Sequence, residues 1–185
     1  FPAFAAANGL DPKSVKFINM TYSQVTPAML TGKIDVALWY ATEVPKQIEA
    51  AQKIGKEMGW FSYGDWGVQV YNNGIIFRED TIANDPKLVK GITHALVKAW
   101  GYCLQMTGKC LKNFEKYTPG MTKRIVRGQF AINTEYLFDE HTKAHGIGYM
   151  DFDKMDKTIE ILTKLQKLPK RVPTKDMYTN RFLPQ

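Results

Sequence analysis

The sequence predicts an open α/β fold, and three features carry that expectation. Two apolar runs with strand character, VKFINM at 15–20 and IDVALWY at 34–40, alternate with helix-like stretches. The second run is apolar almost without interruption, as a parallel strand covered on both faces would be. A segment dense in glycine and aromatic residues, WFSYGDWGVQVYNNGIIFRED at 60–80, then suits a chain crossing between lobes before a further strand, GIIF at 74–77. A β-α-β-α order of this kind places helices against a sheet.

The elements follow in order. FPAFAAANGL reads as a helix entered partway, with Gly9 as its stop and Asp11-Pro12 as the turn beyond. After the run 15–20, Thr26-Pro27 opens a short helix with Pro27 at its first position and Gly32 past its end. The run 34–40 leads to a helix over 45–58 with Ile48, Ala51 and Ile54 on one face. Asn84-Asp85-Pro86 is a helix start, with Asp85 as cap and Pro86 as first residue. Leu88, Ile92, Leu96, Trp100 and Cys103 then recur at three-to-four spacing and mark the buried face of that helix. Helices over 111–117 and 122–138 follow. A last one begins near Asp153, with Met155, Ile159, Leu162 and Leu165 on one side. The tail beyond Pro169, anchored by Tyr178 and Phe182, drapes over the surface.

Composition narrows the function. Hydrophobic residues make up 44% and charged residues 23%, a globular balance. The formal charge of +7 raises the question of nucleic acid, but the cations are scattered. Only 167–171 holds a local cluster, and no recognition motif accompanies it. The reading is a solvated basic surface and no nucleic-acid partner. No apolar run approaches the roughly 20 residues that span a bilayer, so the chain is not expected to cross a membrane. Nor is there an export signal, and the first residue is Phe, which suggests a processed or truncated chain.

The sequence carries no recognisable catalytic constellation. Glycine-rich phosphate loops and nucleophile elbows are missing. His141 and His145 are four apart, yet HTKAH lacks the carboxylate that zinc motifs need, and His94 sits in an amphipathic helix. Catalytic residues, metal ligands and cofactors are therefore expected to be none. Cys103 and Cys110 flank Thr107-Gly108, a helix-breaking corner; they form either a disulfide in an exported protein or two buried small hydrophobes.

What the chain does offer is aromatic and polar side chains where strands end. In open α/β sheets ligands settle beyond the carboxyl ends of strands. Trp39, Tyr40, Thr42 and Glu43 follow the run 34–38, and Tyr63, Asp65, Trp66, Tyr71 and Asn73 lie in the crossing segment. Indoles and phenols offer stacking surfaces to a planar solute. Glu43 and Asp65 can accept hydrogen bonds from it or hold a cation. The expected contacts are Trp39, Glu43, Asp65 and Trp66, with Tyr63 and Tyr71 as secondary walls. Neither segment has an arginine before Arg78, which disfavours an anion clamp. The plainer alternative is that the aromatics fill a lobe interface and Asp65 shapes a turn.

Five segments together resemble a known family: FPAFAAANGLDPKSVKFINM, PAMLTGKIDVALWYATEVP, YGDWGVQVYNNGIIFRED, DPKLVKGITHALVKAWGYC and MYTNRFLP. They are similar to the periplasmic binding proteins that serve sulfonate, nitrate and thiamine-precursor ABC importers. The resemblance implies a type II periplasmic-binding fold, two α/β lobes with a ligand cleft between them. Residues 1–58 would be most of lobe two. Residues 59–185 would be the crossing strands and the C-terminal part of lobe one, with the N-terminal half of the first lobe missing. It also implies an extracytoplasmic receptor that hands a small solute to an ABC permease. The solute would be a thiamine pyrimidine precursor or other planar heteroaromatic, with sulfonates, nitrate and aromatic acids as alternatives. Relatives that make the thiamine pyrimidine are enzymes with a Cys-rich motif, which this sequence lacks.

Overall fold

A computed structural model describes residues 1–71, 73–165 and 168–184. The described residues fold into nine α-helices: α1 (Pro2–Ala7), α2 (Tyr22–Leu30), α3 (Val44–Gln52), α4 (Glu79–Asn84), α5 (Pro86–Gln105), α6 (Thr107–Glu115), α7 (Lys123–Leu137), α8 (Glu140–His145) and α9 (Phe152–Leu165). Short 3₁₀ turns lie at Pro12–Ser14, Ala41–Glu43, Gly64–Trp66 and Thr174–Asp176.

The expected α/β architecture is overturned: no strand and no sheet form among the described residues. The reason is physical. A strand exists only through ladder hydrogen bonds to a neighbour, and the runs 15–20, 34–40 and 74–77 make none among the described residues. Composition alone gave them strand character, and most of their side chains remain exposed. Val36 is 69% and Ile76 91% exposed.

The helical predictions fared unevenly, and each departure has a local cause. Gly9, at φ 64°, closes the chain beyond α1 as read. Asp85 caps α5 by accepting from the Leu88 N–H at 3.0 Å, with Pro86 in the first turn. Pro27, however, lies inside α2. The helix starts earlier because Thr21 and Gln24 form a reciprocal capping box, which outweighs the proline signal. The predicted helix over 45–58 stops at Gln52, where Gly55 at φ 70° turns the chain and the Lys56 N–H returns to the Ala51 carbonyl. On α5 the buried stripe is displaced by one residue. Val89 and Thr93 are buried, while Leu88, Ile92 and Leu96 are exposed. On α9 Met155 and Ile159 are buried as read, but Leu162 and Leu165 are exposed. Of the basic cluster at 167–171, Lys167 lies outside the described residues.

Helix α3 organises the N-terminal region. Its Gln47 accepts from the Thr26 hydroxyl of α2 at 2.7 Å, and its Glu49 from the Thr122 hydroxyl at the start of α7 at 2.5 Å. The Arg124 guanidinium of α7 donates to Gln52 at 2.7 Å. The helices meet so closely that a Cβ on Gly128 would lie 2.8 Å from the Pro45 ring. Helix α7 also packs on the Ala41–Glu43 turn. Elsewhere α1 rests on α9, and α9 on the Thr174–Asp176 turn, where Thr174 and Arg171 both bond Asp156. No helix among the described residues is long and apolar enough to cross a membrane.

Candidate functional site

Without a sheet there are no strand ends to gather a ligand, and each candidate stands on its own surroundings. The structure separates the candidates into three groups of contacts.

Trp39 and Glu43 both neighbour Tyr22, where the start of α2 faces the Ala41–Glu43 turn. Trp39 follows the irregular run 34–38, and extended Tyr40 leads the chain into the turn. Tyr22, the first residue of α2, sets its ring edge-on against Trp39, with centroids 4.7 Å apart and planes at 86°. Lys46 Nζ lies 3.9 Å from Glu43 Oε2 and 5.9 Å from the Tyr22 ring centre. Two polar atoms here are closed to water and have no hydrogen-bond partner: the Trp39 indole Nε1–H and Glu43 Oε2. Buried polar groups are nearly always paired, so two orphans at one corner need an explanation. The Tyr22 phenol is pushed up to about 12, mainly by hydrogen bonding with the Glu43 carboxylate, then by burial. At neutral pH that hydroxyl is a donor.

Tyr63, Asp65 and Trp66 belong to a second, aromatic group. Tyr63 stacks on Phe4 with centroids 4.7 Å apart, and Phe61 packs edge-on against Trp66 at 6.3 Å. Burial pushes the Tyr63 phenol up. The Asn8 amide of the α1 end donates to the Trp66 carbonyl at 2.9 Å, and Gly67 follows at φ 86°, where a side chain is disfavoured. Trp66 keeps about half its surface in water, at 53% exposure. Asp65 is exposed in the Gly64–Trp66 turn.

Tyr71 sits in a third setting, where its amide and its hydroxyl both have partners. Its backbone N–H donates to the Thr158 hydroxyl at 3.0 Å, and its own hydroxyl accepts the Asp151 N–H at 2.8 Å. The Lys154 ammonium lies over its ring at 4.8 Å and pairs with Asp139 at 3.1 Å. Burial pushes Asp139 upward, but the N–H and hydroxyl of Thr142 and the Lys154 ammonium outweigh it and hold the carboxyl at about 2. His141 faces Asp151 at 3.4 Å and Glu140 at 3.6 Å, while His145 stacks on Tyr149. The two histidines therefore have different neighbours. Among the described residues no group of three or more His, Cys, Asp or Glu is placed to hold a metal.

The sulfurs of Cys103 and Cys110 are bonded across the α5–α6 corner, with Cα atoms 5.1 Å apart. Thr107 tightens that corner by donating to the Cys103 carbonyl at 2.9 Å. Two open surface clefts, of about 610 and 260 Å³, are lined by Glu79, Ile82, Pro86, Arg181 and Phe182 and by Gly67, Gln69, Lys157 and Glu160. No residue expected to contact ligand lines either one, and the smaller begins one residue past Trp66.

Tyr22 and Lys46 went unnoticed in the sequence. The rule that selected Trp39 would have found Tyr22, since it too follows an apolar run, 15–20, at the mouth of a helix.

The chain resembles a riboflavin-binding protein, RibY, of Chloroflexus aurantiacus. The two are 26% identical over 184 residues, covering 96% of this chain and 50% of the relative. The chain thus spans about half the length of that curated relative. Residues 1–107 match the family described as NMT1/THI5 like. More than half of the sequence is covered by that match, and the chain belongs to the NMT1/THI5-like family.

Proposed function

We propose that this chain is the ligand-gripping part of a solute-binding protein, and that it captures a flat heteroaromatic molecule rather than catalysing a reaction. The observation that carries the reading is the corner of Tyr22, Trp39 and Glu43, where an indole N–H and a carboxylate oxygen facing Lys46 at 3.9 Å are closed to water and have no hydrogen-bond partner. An apolar wall with a few unspent polar groups is what small-molecule sites present. The Chloroflexus relative, named for riboflavin binding, supports a binding protein over an enzyme and a flat heterocycle as cargo. A thiamine pyrimidine precursor is the other ligand of matching shape. Trp66 and Tyr63, backed by Phe4 and Phe61, supply a second aromatic surface, with Asp65 exposed beside it. In this reading the protein works outside the cytoplasmic membrane and delivers its solute to an ABC permease.

The test is a fluorescence titration of the protein with riboflavin and, separately, with the hydroxymethyl aminopyrimidine of thiamine. Saturable quenching by one of them is expected. Trp39→Ala is expected to weaken it about tenfold or more, since the variant loses a stacking face and a hydrogen bond together. Equal affinity in the variant, or no saturation with either compound, refutes the reading.

A further inference from the structure

The chain's positive charge is not spread evenly over the fold. Residues 109–127 hold six cations and a single acid, Glu115, so most of the formal +7 belongs to one hairpin: α6, the turn after it and the start of α7. Spaced out along the sequence, these cations are gathered when α6 packs back on α7. Lys109, Lys112 and Lys116 recur at three-to-four spacing, which sets them along one face of α6. The bond to Cys103 holds Cys110 toward α5, and the three lysines project into solvent. Lys123 and Arg127, one turn apart on α7, are exposed as well.

No carboxylate among the described residues pairs with this face. The ion pairs of those residues all lie outside the hairpin, and Arg124 donates to the neutral Gln52 side chain. Lys109 and Lys123 also stand in the first turns of α6 and α7, at the positive ends of the helix dipoles, and neither turn holds an acidic residue. That placement is unfavourable in the free chain, and an external anionic surface relieves it. Beside the cations the hairpin leaves apolar groups in water. Tyr117 is 83% and Phe114 47% exposed, and Met121 is exposed in the turn between the helices.

We propose that this hairpin docks on an anionic phospholipid surface, with Lys109, Lys112, Lys116, Lys123 and Arg127 against the headgroups and the Tyr117 ring among them. Cations alone would suit nucleic acid equally. The exposed aromatic and thioether side chains favour a lipid interface, where apolar groups beside basic ones add to the electrostatic attraction. Neither surface cleft borders the hairpin to hold a nucleic-acid strand. The inference takes its setting from the function proposed above, in which the phospholipid leaflet is the anionic surface at hand. Solute binding plays no part in it.

Sedimentation with vesicles tests the face. The disulfide-bonded chain is expected to bind vesicles of equal parts phosphatidylglycerol and phosphatidylcholine, and to leave vesicles of phosphatidylcholine alone. One basic side chain near such a surface strengthens binding about fivefold. Lys109→Gln, Lys112→Gln and Lys116→Gln combined are therefore expected to weaken it about tenfold or more, and Tyr117→Ala severalfold. Removing the same charge from the N-terminal region, with Lys13→Gln, Lys16→Gln and Lys33→Gln combined, is expected to cost about twofold at most in about 0.1 M salt, where charges beyond about 10 Å are screened. All these side chains are exposed, so the fold is not at stake. Equal binding to both kinds of vesicle, equal losses in the two lysine triples, or no binding to the mixed vesicles overturns the docking face. So does tighter binding of a duplex oligonucleotide to the same lysines, which would assign them to nucleic acid. No solute is present, so each of these outcomes leaves the proposed binding function standing.

Discussion

Two tyrosines from the aromatic-rich parts of the chain, Tyr22 and Tyr71, ended in opposite circumstances. Tyr71 is held on three sides, with Thr158 on its amide, Asp151 on its hydroxyl and Lys154 over its ring. Tyr22 stands over a corner whose neighbours keep two polar atoms unspent. Both are aromatic residues beside charges, and nothing in the composition of their surroundings separates them. The difference lies in satisfaction. A polar group already paired within the chain stabilises the fold, and a ligand can recruit it only by breaking that pair. One closed off and unpaired costs stability until something meets it.

Three perturbations sharpen that contrast. The largest effect is expected behind the corner, at Gly128→Ala. A Cβ there would meet the Pro45 ring at 2.8 Å, and α7 packs on the turn that carries Glu43. Overpacking of this kind costs about 1–3 kcal/mol, so chemical denaturation should show a lower midpoint and solute affinity should fall with it. Tyr71→Phe comes next. It strips the Asp151 N–H of its acceptor, and a loss of about 1 kcal/mol is expected, with unchanged solute affinity. If affinity fell as far as in Trp39→Ala, the division between the two tyrosines would fail.

The smallest effect concerns acid. Asp139 is held at about 2 in the fold, below the ordinary carboxylate value near 3.9. Its stabilising contribution is therefore complete above about pH 4 and is lost as pH falls toward 2. Thermal melts of Asp139→Asn should be flatter than those of the parent between those pH values. Parallel acid limbs would show that Asp139 contributes nothing there.

What could be read from the sequence was local. The Asp85 cap, Pro86 in the first turn and the Gly9 turn are decided by a few adjacent residues, and the structure contains all three. That no sheet forms was not legible, because strand character at 15–20 and 34–40 states only which side chains tolerate pairing, while pairing itself depends on a neighbour distant in sequence. The displaced stripe on α5 has a similar origin. Leu88 and Val89 are both apolar, and only the helices packed beside them decide which one is covered. Of the candidate site, Trp39 and Glu43 were found as types and positions. That Trp39 Nε1 and Glu43 Oε2 end closed to water without hydrogen-bond partners was invisible, since it depends on how the surrounding elements pack.

The uncovered hydrophobic stretches have a colloidal consequence. Val36, Leu38, Ile75 and Ile76 present greasy surface to water on a body of formal charge +7. At low ionic strength mutual repulsion holds neighbouring molecules apart, whereas in added salt the repulsion shrinks to a range of about 10 Å at 0.1 M and those stretches can touch. The excess of lysine and arginine, which has no evident part in recognising the solute, thus acts as the chain's protection against its own adhesiveness.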